Sequence, residues 1–187
     1  NIPPVSGFIL AGGRSSRMGR DKADVTWQGM SLLNHMKMSL SPIASRIVVV
    51  GGRHADIADH APFLGPGNAI AKQLLLLPAP EQIALFVPID MPMLTPALLQ
   101  CLIRQAWRTK APVYFERHYL PVAIPTRYLL LDKLHALLSD SPEPSVRLVL
   151  QCIGAHSLPV GDDKLPFANI NRPEDLSALA DSEKGAQ

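Results

Sequence analysis

Three short apolar runs, VSGFIL at 5–10, RIVVV at 46–50 and IALFV at 83–87, recur along the chain with helix-length stretches between them. No other feature limits the fold as tightly. Strands that alternate with helical segments need crossover connections, which build a largely parallel sheet with helices on both faces. Near-continuous apolar runs are also what strands covered on both faces require. The punctuation agrees with this reading. Ser31 can cap a helix running to about residue 41, stopped by Pro42, and Gly51-Gly52 ends the second run. A helix over about 68–77 stops before Pro78, and Thr95 followed by Pro96 starts another that reaches about residue 109.

Further along, 112–115 and 120–124 read as two antiparallel strands joined across Glu116–Tyr119. Helices near 128–138 and 146–152, a strand at 156–160 and a last helix from about Pro173 follow, and 181–187 is expected to be a disordered tail. The expected fold class is α/β, one Rossmann-like domain over 1–187, mostly parallel with an antiparallel strand region.

Composition narrows the class of partner. A chain of 187 residues with 47% hydrophobic and 18% charged residues suits one globular domain with a substantial core. A net charge of +2 is too small to point to nucleic acid as the main partner. No apolar run approaches membrane-spanning length, and no charged-then-apolar signal pattern opens the chain, so a cytoplasmic protein without a membrane partner is expected. Cys101 and Cys152 lie far apart with no CxxC or Cys/His spacing, which reads as two reduced, partly buried thiols. The six histidines are scattered without metal-ligand spacing, and Trp27 and Trp107 read as packing residues.

The first run flows directly into Leu10-Ala11-Gly12-Gly13-Arg14-Ser15-Ser16-Arg17-Met18-Gly19-Arg20-Asp21-Lys22. Glycines let the backbone approach phosphate oxygens, successive N–H groups can form an anion cradle, and Arg17 and Lys22 add full charges. The spacing is neither that of a P-loop nor that of the dinucleotide fingerprint. Asp90, in the segment VPIDMP, follows the third run. In an open α/β sheet both features would lie at the carboxyl edge of the strands, where ligands bind.

The run LAGGRSSRMGRDK resembles the signature LAGG-x-S-x-R-M-G-x-D-K of the molybdenum cofactor guanylyltransferases, and VPIDMP resembles the strand-end D-x-P of that family. Phe167-Ala168-Asn169-Ile170-Asn171-Arg172-Pro173-Glu174-Asp175-Leu176 is similar to its F-x-N-x-N-x-P-E-D-L. The resemblance implies a nucleotidyltransferase that moves GMP from GTP to the terminal phosphate of molybdopterin and releases pyrophosphate. It implies that Leu10, Ala11, Gly12, Gly13, Ser15, Lys22 and Asp90 hold the nucleotide, and that Arg17 and Lys22 neutralise phosphate oxygens. Asp90 would bind Mg²⁺, which favours one or two carboxylates shared with phosphates and waters. Asn169 and Asn171, with Arg147, would face the acceptor, although Asn171 is equally well placed to cap the last helix. GTP and molybdopterin are then the partners, with room for proteins that deliver the cofactor. A phosphate nucleophile is already anionic, so no general base is needed.

The middle of the chain departs from the family pattern. Gly65-Pro66-Gly67-Asn68-Ala69 stands for G-P-L-A-G, Gly51-Gly52 stands where an Asn often helps hold guanine, and Leu120 replaces a usual His. Asp59 is the nearest candidate for a nucleotide-contacting Asp and does not align well. Two alternatives therefore stay open: a related transferase with another base or acceptor, and a non-catalytic nucleotide-binding module.

Overall fold

Strand β5 (Ile83–Pro88) runs through the middle of the sheet, and its residues from Ile83 to Val87 are fully enclosed. Each large apolar side chain enclosed in this way contributes about 1.5–3 kcal/mol relative to exposure. The computed structural model in which this is seen describes residues 1–12, 21–57, 64–77, 82–161, 165–172 and 174–177.

β5 pairs in parallel with β1 (Val5–Leu10), which pairs in parallel with β4 (Arg46–Val50) on its other side. Across its opposite edge β5 meets β7 (His118–Pro125), which runs antiparallel to it. β6 (Val113–Phe115) and β8 (His156–Leu158) complete a six-stranded sheet in the order β4-β1-β5-β7-β6-β8. β7 is the reversed strand of an otherwise parallel set. A small hairpin of β2 (Thr26–Trp27) and β3 (Met30–Ser31) stands apart from it.

The helices divide between the two faces because side chains alternate along each strand. Ile9, Val49, Leu85 and Val87 pack with α1 (Leu32–Leu40) and α3 (Pro96–Thr109). Phe8, Leu10, Val50 and Phe86 pack instead with α2 (Gly65–Leu76), α4 (Leu131–Asp140) and α5 (Val146–Cys152). The rings of Phe8 and Phe86 stack on that second face, 4.8 Å between centroids. The connection β1–α1–β4 covers one face and β4–α2–β5 the other, so the chain runs outward from β1 to β4 and then back past β1 to β5. The carboxyl ends of β1 and β5 flank the crevice this leaves.

Most expected elements are present, with revised limits. Ser31 caps α1 through Asn34 N–H and Thr95 caps α3 through Leu98 N–H. α2 starts at Gly65, ahead of the expected Asn68, with Pro66 in its first turn where a missing N–H costs nothing. β7 begins at His118, two residues before the expected Leu120. α4 starts at Leu131, after a 3-10 turn at Thr126–Tyr128, where the helix was expected from about residue 128. β8 stops at Leu158. Cys101 is exposed, against the expectation of a partly buried thiol, because α3 buries Leu99, Leu102, Ile103 and Ala106 and residue 101 falls on the opposite side. Cys152 is half-buried, as expected. Trp27 is buried and Trp107 packs against the core. Pro173 and the tail 181–187 lie outside the described residues, while 174–177 form a helical turn.

Candidate active site

Sequence alone places a strand end, a loop and a distant carboxylate at one edge, and the structure brings them within bonding distance. Ala11 N–H donates to Val50 C=O at 2.9 Å and Ile89 N–H to Leu10 C=O at 3.3 Å, so the ends of β4, β1 and β5 are laced together. Between them opens a cavity of about 320 Å³, within the range of small-molecule sites. Leu10, Ala11 and Gly12 line it from β1, and Pro88, Ile89, Asp90 and Met91 from β5. Lys22, Pro66, Leu120 and Asn169 close it.

Lys22 is the hub of the polar groups. Its ammonium donates to Asp90 Oδ2 and to Asn171 Oδ1, each at 2.7 Å. Both members of the Lys22–Asp90 pair are about one-fifth exposed, with side chains at 21% and 20%. A pair shielded to that degree is screened less than an ion pair in open water.

Lys22 is positioned by the residue before it. Asp21 accepts from Ala23 N–H at 2.9 Å through Oδ1, capping a short 3-10 turn over Lys22–Asp24. Its other oxygen accepts from Arg53 N–H at 2.8 Å. Asp24 in turn meets His54 Nε2 at 2.6 Å and lies 3.8 Å from the Arg53 guanidinium. The turn after β4 is thereby docked onto the loop after β1.

That docking explains the glycines at 51 and 52. Both take positive φ, +73° and +76°. A Cβ on Gly52 would sit 3.0 Å from Ala11 C=O. The position therefore offers backbone and not a side chain, and it serves the close approach of two loops. Gly67 has a comparable role in the other departure from the family pattern. A Cβ there would fall 2.1 Å from Pro144 C=O, and the neighbouring Asn68 donates from Nδ2 to Pro142 C=O at 2.7 Å. The sequence Gly65-Pro66-Gly67-Asn68 seats α2 against the 142–145 turn and leaves Pro66 on the cavity wall.

The C-terminal segment reaches the site from the far side of the sheet. The Phe167 ring lies parallel to the His118 ring, 4.3 Å between centroids, and edge-on to Phe115 at 5.1 Å. Ile170 N–H donates to Asp90 C=O at 2.8 Å, on a segment that puts Asn169 on the cavity wall and Asn171 against Lys22. Burial, with a smaller contribution from the Arg117 guanidinium, holds the His118 imidazole below its ordinary pKa.

Of the residues expected from the sequence, Leu10, Ala11, Gly12, Lys22, Asp90 and Asn169 line one cavity, and Asn171 binds Lys22. Asn171 serves the site through its side chain, while its backbone N–H is held by Asp175 at 2.8 Å. Arg147 is exposed in the first turn of α5 and is not among the residues lining the cavity. Gly13, Ser15, Arg17 and Asp59 lie outside the described residues. Pro66, Asp21 and Asp175 were not anticipated. Each stands inside a quoted motif, Asp21 in the D-K ending, Pro66 in the G-P stretch and Asp175 in P-E-D-L, and Asp175 also reads as an acidic residue in the first turn of an expected helix.

Among the described residues no helix is long and apolar enough to cross a membrane. No group of three or more His, Cys, Asp or Glu side chains among them could hold a metal alone. A single carboxylate, Asp90, on the wall of a cavity that Lys22 also lines fits a Mg²⁺ ion that takes its remaining ligands from phosphate and water.

The family model of the MobA-like NTP transferase domain matches residues 7–155. A molybdenum cofactor guanylyltransferase from Xanthomonas euvesicatoria is 35% identical over 181 residues, 94% of each chain. One from Pseudomonas aeruginosa is 34% identical, again over 94% of both. Among solved structures, molybdopterin-guanine dinucleotide biosynthesis protein A from Archaeoglobus fulgidus superimposes with a TM-score of 0.72 at 19% identity, covering 96% of this chain and 99% of that one. A Thermus thermophilus 2-C-methyl-D-erythritol 4-phosphate cytidylyltransferase does so at 0.67 and 15% identity, over 94% and 98%. The chain is a nucleotidyltransferase of the MobA-like family, to which the molybdenum cofactor guanylyltransferases belong.

Proposed function

We propose that this cavity transfers GMP from GTP to the terminal phosphate of molybdopterin, with pyrophosphate as the other product. The observation that carries the reading is the convergence of Lys22, Asp90 and Asn171 at the ends of β1 and β5. Full-length relatives named for guanylyl transfer to the molybdenum cofactor support the choice of substrates.

The chemistry asked of the protein is mainly positioning and charge stabilisation. In the proposed mechanism the backbone of Leu10, Ala11 and Gly12 supports the triphosphate, with Gly13 and Ser15 further along the same loop. Lys22 and Arg17 neutralise phosphate oxygens as charge builds on the leaving group. Asp90 would hold Mg²⁺, which when bound screens the phosphates from each other. The acceptor brings its own anionic phosphate, and Asn169 with Asn171 offers it amide donors. Leu120 gives the acceptor side an apolar wall.

The test is pyrophosphate release from GTP and molybdopterin with Mg²⁺. Removing one preorganised electrostatic group typically costs about 10²–10³ in rate, so Asp90→Ala and Lys22→Ala should each fall by that order. Undiminished release in both variants would sink the reading. Thermal shifts with GTP, CTP, ATP and UTP decide the base, because a selective ligand stabilises the fold in proportion to its binding.

A further inference from the structure

We propose that Asp175 is a positioning residue of the site, acting on Lys22 through Asn171. Its carboxylate oxygen Oδ2 accepts from Asn171 N–H and from Arg172 N–H, both at 2.8 Å. Asp175 N–H returns a bond to Arg172 C=O at 3.1 Å, closing the turn on itself. One residue earlier, Ile170 N–H is held by Asp90 C=O at 2.8 Å. Three successive amides, 170 to 172, are thus all fixed, the first by the strand end and the next two by one carboxylate.

That fixation matters because Asn171 is exposed. An exposed amide side chain gains little from a hydrogen bond unless the backbone carrying it is already ordered, since ordering one residue costs about 1–2 kcal/mol. Asp175 supplies the ordering through two charge-assisted bonds, roughly twice as strong as neutral ones. The Asn171 oxygen is then held 2.7 Å from the Lys22 ammonium, on which Asp90 also pulls. With two acceptors fixed on different elements, the ammonium is held at a defined point at the cavity edge. With Asp90 alone it could swing about a single contact. Asp175 touches neither the cavity nor the ammonium, so its effect on chemistry passes through Asn171. The proposal rests on the reading of Lys22 as the cation that meets the nucleotide phosphates.

Competitive amine labelling with mass spectrometry reads the position of Lys22 directly, on the whole chain and without turnover. Asp175→Ala should raise the reactivity of Lys22 severalfold, as should Asn171→Ala, and the double variant should exceed neither. Asp175→Asn keeps an oxygen without the charge and should give an intermediate rise. Lys110 and Lys133, exposed elsewhere, should label as in the wild type, which separates a loosened Lys22 from a loosened fold. Wild-type reactivity of Lys22 in both Asp175 variants, or a double variant whose rise is the product of the two single effects, overturns the proposal. In pyrophosphate release the same variants should lower kcat about tenfold with KM for GTP within twofold. A wild type that releases no pyrophosphate refutes the guanylyl-transfer reading alone, and the labelling still decides the role of Asp175.

Discussion

The Lys22 ammonium lies 2.7 Å from Asp90 Oδ2, joining the loop after β1 to the end of β5 in one ion pair. The carboxylate expected to hold a divalent cation is therefore paired with an ammonium. A cation arriving alone would face the charge of Lys22 at close range, whereas one arriving with a triphosphate brings anionic oxygens that can take over the ammonium. Free Mn²⁺, followed by its EPR signal, should bind Lys22→Met severalfold more tightly than wild type, because a like charge is removed from the site. Equal affinities would show that the pair does not obstruct the metal.

His118 predicts a limb in the stability–pH curve. Its folded pKa is lowered from the ordinary 6.5 by burial against Phe167 and by Arg117. Between the lowered value and 6.5 the unfolded chain therefore binds more protons than the folded one. Stability is then full above about pH 6.5 and falls as pH drops toward the folded pKa, below which this contribution is constant. Thermal melts from pH 8 to pH 5 should show that loss in the wild type and a shallower one in His118→Phe, which keeps a ring on Phe167. Parallel curves would remove His118 as the cause.

Gly67→Ala tests whether the unusual Gly-Pro-Gly-Asn sequence is a packing device. The added Cβ would lie 2.1 Å from Pro144 C=O and 2.7 Å from the Ser145 carbonyl carbon, both backbone atoms that cannot rotate away. Overpacking of this kind costs about 1–3 kcal/mol, and here the 142–145 turn and α5 must move as a unit. Chemical denaturation should show that loss. An unchanged midpoint would mean the turn yields freely.

The sequence was most readable where its signals are local. Thr95-Pro96 places the start of α3 because capping is decided within one turn, and VPIDMP places Asp90 because a strand end followed by proline leaves few alternatives. The β2–β3 hairpin escaped notice for physical reasons. Its strands are two residues each, too short for periodicity, and its turn puts Gln28 as well as Gly29 at positive φ, where Asn or Asp would have advertised it. The start of α2 was misplaced because Gly-Pro-Gly reads as loop, and only the proximity of Pro144 shows why a helix begins on it. The Lys22–Asn171 bond spans 149 positions, and no local pattern encodes a contact at that separation. The motifs name the participants of the site, and tertiary packing alone decides that Lys22 is shared between two of them.

Gly52→Ala addresses the join between the turn after β4 and the Asp21–Asp24 segment. Gly52 sits at φ +76°, where a side chain is strained, and the new Cβ would stand 3.0 Å from Ala11 C=O and 3.4 Å from Asp21 Oδ2. Holding a non-glycine residue there costs on the order of 1–3 kcal/mol. The chain can relieve that strain by lifting the 51–54 turn, which would break the Arg53 N–H bond to Asp21 and release the cap that positions Lys22. Two losses should therefore appear together: a lower melting temperature, and a smaller thermal shift on adding GTP with Mg²⁺. Asp21→Asn keeps an acceptor for Ala23 N–H and should lose less of the shift. If Gly52→Ala melts early yet retains the full shift, the two loops are joined for stability alone and the glycine has no part in placing Lys22.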